Sequence, residues 1–411
     1  MSHIDVVTGL DIGTTKVCAV IAELTEGEQP NVIGVGISSC AGLKKGIVVE
    51  MESTIASIRD AIGKAERMAG EHVQSVVVGV TGEHIACLNS RSVIAINHPG
   101  REIVESDLDR LMENAKNIVL PPEREIIHAI PRWYSIDGQK GMSSPVGMHG
   151  NRVEMETHIV TGLSSFIQNV VKCVHEAGLT VDATVLEPIA AGESVLTDAE
   201  KDLGVAVVDI GGGTSDLAIY VDGEVTYSAA VPIGGTHVTK DIAIGLRADP
   251  DEAERAKIGY GHATLPEEQE MDGFSVTGLG SAKTRTLPKK VLVEIIEPRM
   301  SELCSLVMDK IDDFGGDSTL PAGIVFTGGG SQIRGLAELA TSISGLPARV
   351  GSPNGLTGLI ESISSPSYST AVGLVLFWNK YHFERESYGG EGLLSGLVRR
   401  IRELFAKLTG H

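Results

Sequence analysis

A chain of 411 residues is too long to fold around one hydrophobic core, so two or more domains are expected. A hydrophobic content of 42% is that of a soluble globular protein, and a formal net charge of −20 argues against nucleic acid as a partner for the body of the chain. Five cysteines, Cys18, Cys40, Cys87, Cys173 and Cys304, contain no C-x-x-C pair, which excludes a zinc site and a disulfide framework and leaves reduced thiols as the expectation.

The N-terminus, Met1-Ser-His-Ile-Asp5, lacks a basic region followed by an apolar one, and no run approaches the ~18–20 apolar residues of a membrane span. A cytoplasmic protein is therefore expected. Val7 to Ile21 reads as apolar strand, Asp11-Ile12-Gly13 turn, small residues and apolar strand. Asn31 to Ile37 is a strand candidate. Met51 to Ala69 is a helix, with Ile55, Ile58, Ile62 and Ala65 at three- and four-residue steps. Val73 to Val80 is a buried strand ending in Thr81-Gly82.

The rhythm then changes. Glu83 to about Thr161 holds several strands, one helix from Ser106 to Asn117 with Ser106 as its cap, and a glycine- and methionine-bearing loop near Gly138 to Asn151. This stretch reads as an insert. Ser164 to Ala177 is helical, Val181 to Leu186 is a strand, and a helix starts at Pro188.

Val205 to Tyr220 repeats the opening phrase: a β-branched strand, Asp209, the glycines Gly211, Gly212 and Gly213, Thr214, and a returning strand. The two aspartates lie 209 − 11 = 198 positions apart, the length of a domain, which points to a duplicated fold. Glycines permit a turn that aims backbone N–H groups into one concavity suited to phosphate oxygens. An acid beside bound phosphate commonly holds hydrated Mg²⁺; an incidental aspartate in a glycine hairpin is the plain alternative. Val225 to Val231 is a strand, and Gly234-Gly235 opens a helix from Thr236 to Ile244. Glu252 to Gly259 is a helix charged on one face. Ala263 to about Arg285 is loop-rich, and Lys289 to Ile311 is an amphipathic helix interrupted at Pro298. A third glycine turn, Gly328-Gly329-Gly330, follows the strand Gly323 to Thr327. Neither the Walker pattern nor the dinucleotide fingerprint occurs.

Two Asp-x-Gly hairpins and one Gly-Gly-Gly turn, in this order, resemble the two phosphate loops and the adenosine loop of the actin, sugar-kinase and heat-shock-chaperone ATPases. Val185 to Gly192 and Ser369 to Leu376 resemble that superfamily's two connecting helices. With the tail described below, the whole chain resembles the FtsA family of bacterial cell-division proteins. The resemblance implies an α/β, actin-like duplicated ATPase fold with an inserted subdomain in the first half and a C-terminal amphipathic helix. The implied layout is a first half at 1–82, the insert at 83–161, and a return with the first connecting helix at 162–203. The second half begins at 204–234, carries a small subdomain at 235–299, and resumes with the adenosine loop at 300–352. Residues 353–380 return to the first half.

The implied cofactors are ATP and Mg. Asp11 and Asp209 would hold metal-bound waters. Gly13, Thr14, Thr15, Gly211, Gly212, Gly213 and Thr214 would supply donors to phosphate. Lys16 would neutralise phosphate charge or stay a solvated hairpin lysine. Gly234 and the triplet Gly328, Gly329 and Gly330 complete the cradle. Glu254 and Lys257, three residues apart on one helical face, match where relatives contact ribose and adenine, with a surface ion pair as the alternative. Glu187, in a Glu-Pro-x-Ala-Ala segment like that of MreB, is the candidate for orienting the attacking water; a helix cap is the alternative. Weak ATPase activity and a mainly structural role follow from the resemblance. So do contacts of the insert with other subunits and later division proteins. FtsZ's C-terminal peptide would meet the small subdomain, with Arg285, Arg299 and Glu302 as positions.

After Trp378 the chain turns polar, and 381–392 reads as a flexible linker. In 393–408, Leu393, Leu394, Leu397, Val398, Ile401, Leu404, Phe405 and Leu408 fall in one arc of roughly 140° at 100° per residue. Arg399, Arg400, Arg402 and Lys407 with Glu403 fill the other face, a local charge of 4 − 1 = +3. A helix about 24 Å long with such a face cannot span a bilayer but can lie in the interface on anionic lipid. A terminal helix docked on its own core or in a partner's groove is the alternative. The implied function is an ATP-binding filament at the inner face of the cytoplasmic membrane that anchors FtsZ polymers at the division site. A small-molecule kinase of the same fold, or an FtsA-like ATPase of type IV pilus assembly, remains as the competing reading.

Overall fold

The computed structural model describes residues 5–96, 100–142, 144–265, 273–278, 284–315 and 320–387. The first half opens with β1 (Asp5–Ile12), β2 (Lys16–Leu24) and β3 (Asn31–Ser39). The small hairpin β4 (Leu43–Lys44) and β5 (Ile47–Val48), helix α1 (Met51–Ala69) and β6 (Ser75–Val80) follow. The insert comprises β7 (Ala86–Ala95), α2 (Glu105–Lys116), β8 (Arg124–Ile136), β9 (Gln139–Met142) and β10 (Arg152–Leu163). Helix α3 (Ser164–Glu176), β11 (Thr180–Leu186), α4 (Glu187–Val195) and α5 (Asp198–Leu203) return to the first half.

The second half repeats the plan with β12 (Val205–Ile210), β13 (Ser215–Val221) and β14 (Glu224–Val231). Helices α6 (Gly235–Leu246) and α7 (Pro250–Tyr260), strands β15 (Gly273–Thr277) and β16 (Thr284–Pro288), and helix α8 (Lys290–Phe314) follow. Then come β17 (Ile324–Thr327), α9 (Leu336–Ser344), β18 (Ala348–Val350), β19 (Thr357–Gly358) and α10 (Ser369–Ser387).

The duplication is visible in the sheets. The first has the order β11-β6-β1-β2-β3-β19, the second β14-β13-β12-β17-β18. In each, an antiparallel three-stranded meander is extended by two parallel strands beyond its first strand. Register agrees as well: Asp11 lies opposite Cys18, and Asp209 lies opposite Asp216. The central strands β1, β2, β12 and β13 are buried on both faces, which is why they read as continuous apolar runs rather than alternations.

Helices α4 and α10 cross between the two sheets. Their seam is lined by small residues, and a Cβ built on Gly373 would lie 1.8 Å from the Ala190 carbonyl oxygen. Helix α10 also covers β1 of the first half: a Cβ on Gly9 would lie 2.4 Å from the Ala371 carbonyl oxygen. Val7, Val20 and Val77 therefore share one core with Val372 and Val375 from near the far end of the chain.

Three local expectations are corrected. Helix α2 is capped from Val104, whose N–H donates to the Asp107 carboxylate (3.1 Å), so Ser106 lies inside the helix. Helix α8 runs unbroken through Pro298. Buried Ile296 and Met300 hold the segments on either side of the proline to the core, and this packing outweighs the one missing N–H. Helix α10 continues to Ser387, so residues 381–387, expected as linker, are helical.

The insert touches both halves. Its sheet has the order β7-β10-β8-β9, with its own core of Ile103, Leu111, Met112 and Met155. Buried His158 on β10 donates from Nδ1 to Asn89 Oδ1 (2.9 Å) and accepts at Nε2 from the Ser228 hydroxyl on β14 (3.1 Å). His128 Nε2 on β8 accepts the N–H of Leu186 (2.9 Å), the residue before α4. Burial pushes both histidines down, to about 4 for His128 and about 3 for His158, and holds them neutral. A depressed histidine gives stability that is fully present above the unfolded value near 6.5 and is lost as pH falls toward the folded value. Each costs about 1.4 kcal/mol per pH unit in that window. The urea midpoint is therefore expected to drop more steeply between pH 6.5 and 4.5 in the native chain than in His158→Gln. Equal slopes would show that His158 does not titrate on unfolding.

Candidate functional site

The site is built from strand ends. In the first hairpin the Gly13 N–H closes on the Lys16 carbonyl (2.9 Å), and in the second the Gly211 N–H closes on the Thr214 carbonyl (3.0 Å). The two turns face each other. A Cβ on Gly212 would lie 2.8 Å from Thr15 Cγ2, and one on Gly213 would lie 2.8 Å from Thr14 Oγ1 and 2.9 Å from Lys45 Cα. Gly234 abuts the same turn, because the N–H groups of Gly235 and Thr236 donate to the carbonyls of Gly211 and Gly212 (both 2.9 Å).

The third glycine turn closes the floor. Gly328 stands at φ +81°, where a Cβ would lie 2.1 Å from Asp209 Oδ1 and 2.7 Å from the Ile210 carbonyl oxygen. Only glycine takes this backbone shape with a carboxylate so near. Gly330 packs on Ile210, and Gly329 borders Ser367.

Four acids converge on this cleft. Asp11, Glu187, Asp209 and Asp216 are all buried. Burial raises Asp11 to about 6, with Lys16 opposing and Asp209 adding to the rise. Asp209 is also raised by burial, while the Thr370 hydroxyl, which donates to its Oδ2, and Lys16 pull it back. Asp216 is raised to about 6 by burial and accepts the Thr214 hydroxyl (2.9 Å). Glu187 is 8% exposed, and its Oε1 has no hydrogen-bond partner among the described residues. Burial first, and then Asp11, Asp216 and Asp209, push its carboxyl well above the ordinary range. Glu187 thus stands at the head of α4 with its carboxyl biased toward the protonated form.

The cations are partly engaged. The Lys16 ammonium donates to the Ser367 carbonyl and lies 4.9 Å over the Tyr368 ring. Lys257 donates to the Gly235 carbonyl (3.1 Å) and to Thr239 Oγ1 (2.9 Å), and pairs with Glu254 (2.7 Å). The ion pair and a place beside the glycine turns therefore hold together: a Cβ on Gly235 would be 3.5 Å from Lys257 Nζ and 3.8 Å from Gly330 Cα.

Arg299 and Arg285 are both tied to α6. Arg299 forks onto Asp241 (2.6 and 3.2 Å) and pairs with Glu302, while Arg285 donates to the Leu246 carbonyl. The membrane candidates Leu393 to Leu408 lie outside the described residues. No helix among the described residues is long and apolar enough to cross a membrane.

Asp216 and Thr370 are the cleft residues that sequence reasoning passed over. The counterpart of Asp216 in the first half is Cys18, so the repeat gave no sign of an acid at this position. Thr370 is the second residue of the second connecting segment, and only the crossing of α10 brings it to Asp209.

Known proteins agree with this architecture. The family model described as cell division protein FtsA matches residues 206–373, and that of the SHS2 domain inserted in FTSA matches residues 82–161. Cell division protein FtsA of Pseudomonas aeruginosa is 41% identical over 390 residues, covering 95% of this chain and 92% of that protein. FtsA of Escherichia coli K12 is 37% identical over 388 residues, covering 93% and 92%. Among solved structures, the PilM–PilN type IV pilus biogenesis complex aligns with a TM-score of 0.65 at 18% identity, over 90% of this chain and 98% of that one. An MreB of Spiroplasma citri bound to ADP aligns at 0.58 and 16%, over 94% and 99%. The structural likenesses establish a mixed α/β, actin-like fold. Together with relatives that match nearly the whole length, they show that the chain belongs to the FtsA family of cell division proteins.

Proposed function

We propose that the chain binds ATP with Mg²⁺ between its halves, hydrolyses it slowly, and self-associates at the inner face of the cytoplasmic membrane. There it holds FtsZ polymers and recruits later division proteins. The observation that carries this reading is the meeting of two register-equivalent aspartate turns and a third glycine turn around one unpartnered buried glutamate. The residues fit a metal–nucleotide: a phosphate-sized cradle from which side chains are excluded, hydroxyl donors, and acids. A cation beside bound phosphates is commonly held through its waters and the phosphates.

Asp11 and Asp209 hold those waters, and Gly13 to Lys16 and Gly211 to Thr214 hold the phosphates. Gly234 and Gly328 to Gly330 let the backbone approach the α-phosphate and sugar, with Lys257 and Glu254 at the ribose and base. When bound, Mg²⁺ neutralises charge on the β- and γ-phosphates. Burial is the largest force holding the Glu187 proton; a cation between Asp11 and Asp209 would ease two of the three like charges that add to it. An ionised Glu187 is then able to accept a proton from an attacking water. Arg285, Arg299 and Glu302 offer a surface for the FtsZ C-terminal peptide, provided Arg299 exchanges Asp241 for a peptide carboxylate.

Membrane attachment rests on residues 393–408. One such helix is a modest anchor, and several on one filament bind with high effective concentration. Co-sedimentation with anionic liposomes tests this, for the full chain and for a chain ending at Gly392, with and without ATP–Mg²⁺. The full chain is expected to pellet, more so with ATP, and the shortened chain to stay in solution. If both stay in solution, residues 393–408 are not an anchor and the kinase reading gains.

A further inference from the structure

Behind Glu187 lies a small cavity bordered by Ile12, Gly79, Thr81, His84, Phe166 and Glu187. It has room for about one water, about 10 Å³. Two buried oxygens without a hydrogen-bond partner, Glu187 Oε1 and Thr81 Oγ1, belong to residues on this wall. The Thr81 hydroxyl faces Asp216 and holds that acid's rise back, but it lies short of good hydrogen-bond geometry there and has no other partner among the described residues. Buried polar atoms are rarely left unpaired, and two such residues bordering a cavity of one-water size are the usual setting for an ordered water.

The third polar wall is His84. Its Nδ1 accepts the Leu163 N–H (3.2 Å); burial with the nearby Arg124 charge favours the neutral ring, while the backbone carbonyls of Thr81 and His84 stand near enough to pull the other way. Arg124 also donates to the His84 carbonyl (2.8 Å). Leu163 and Arg124 are the base of the insert.

We propose that Thr81 and Glu187 hold one buried water beside His84, that this water sets the orientation of the Glu187 carboxyl, and that Thr81 is thereby a positioning residue for hydrolysis. The inference rests on the reading of Glu187 as the water-orienting acid. It adds that the chain segment leaving β6 for the insert shapes that acid from behind. An unsupported Glu187 rotates away from the phosphate side and loses aim, without any change in how the nucleotide is held.

Two measurements decide it. A crystal structure of the nucleotide-free protein, at a resolution that shows waters, is expected to contain one water within hydrogen-bond distance of both Thr81 Oγ1 and Glu187 Oε1. Its counterpart in Thr81→Val is expected to lack it. The turnover rate of ATP is expected to fall about tenfold or more in Thr81→Val with KM unchanged, and to return in Thr81→Ser. Glu187→Gln and the double variant are expected to be equally slow, because both changes act through one carboxyl. A dry cavity, or a Thr81→Val enzyme as fast as the native one while Glu187→Gln is slow, overturns the inference. Hydrolysis that survives Glu187→Gln overturns the reading of Glu187 itself, and the crystal structure still decides whether the water is there.

Discussion

Replacing Gly373 by alanine is expected to cost at least about 3 kcal/mol, a large share of the ~5–15 kcal/mol that holds a typical domain together. Glycine to alanine within a helix ordinarily gains about 0.5–1 kcal/mol, because alanine loses less backbone entropy on folding. At Gly373 the sign reverses, since the new methyl would sit 1.8 Å from a backbone oxygen of α4, and backbone cannot rotate aside as a side chain does. The two connecting helices would have to separate, and with them the sheets they join. Gly63 in α1 is the control: a Cβ there meets nothing closer than Arg67 at 3.5 Å, so Gly63→Ala should be neutral or slightly stabilising. Urea unfolding of the two variants reads the contrast. Equal stabilities would mean that α4 and α10 do not cross as described.

The second large effect concerns the acids of the cleft. Asp11→Asn and Asp209→Asn are each expected to weaken Mg²⁺-dependent nucleotide binding about 100-fold, the loss of a charge-assisted interaction of roughly 1.5–3 kcal/mol. The same changes should make the nucleotide-free protein more stable. Asp11 is raised to about 6 from an ordinary 3.8, so its ionised form costs up to about 3 kcal/mol in the folded state. That cost is full above pH 6 and disappears as pH falls through the window from 6 to 3.8, where the folded protein takes up the proton first. The advantage of Asp11→Asn should therefore be largest near pH 7–8 and vanish near pH 4. Calorimetric binding and denaturant melts at the two pH values measure both halves of the trade. Unchanged binding would make these aspartates turn residues and nothing more.

Strand positions were legible because buried strands announce themselves as apolar runs, and the duplication because Asp11 and Asp209 stand in the same phrase. Helix α1 was legible to the residue because one face alone is apolar. What escaped depends on contacts remote in sequence. Pro298 looks like a helix breaker until Ile296 and Met300 are seen held in the core. Ser106 looks like a cap until Asp107 is seen bonding the Val104 N–H. Asp216 appears in the motif but shows its role only when β13 lies beside β12. The surroundings of Thr81 and Glu187 combine β6, α3 and α4, and no local pattern encodes a cavity.

The packing of α10 on β1 also bears on how the protein is made. The opening strands emerge from the ribosome first, yet their core lacks Val372 and Val375 until almost the whole chain has been synthesised. One face of the second sheet waits for the same helix: Val205, Val207 and Val325 share that core, and Thr327 and Asp209 bond Ser369 and Thr370. Both sheets are thus completed by the same late helix, and the first-made strands wait longest for it. A stalled or truncated product that ends before Ser369 would expose an apolar face of β1 and β6 and the facing strands of the second sheet, and would be recognised by chaperones and proteases there.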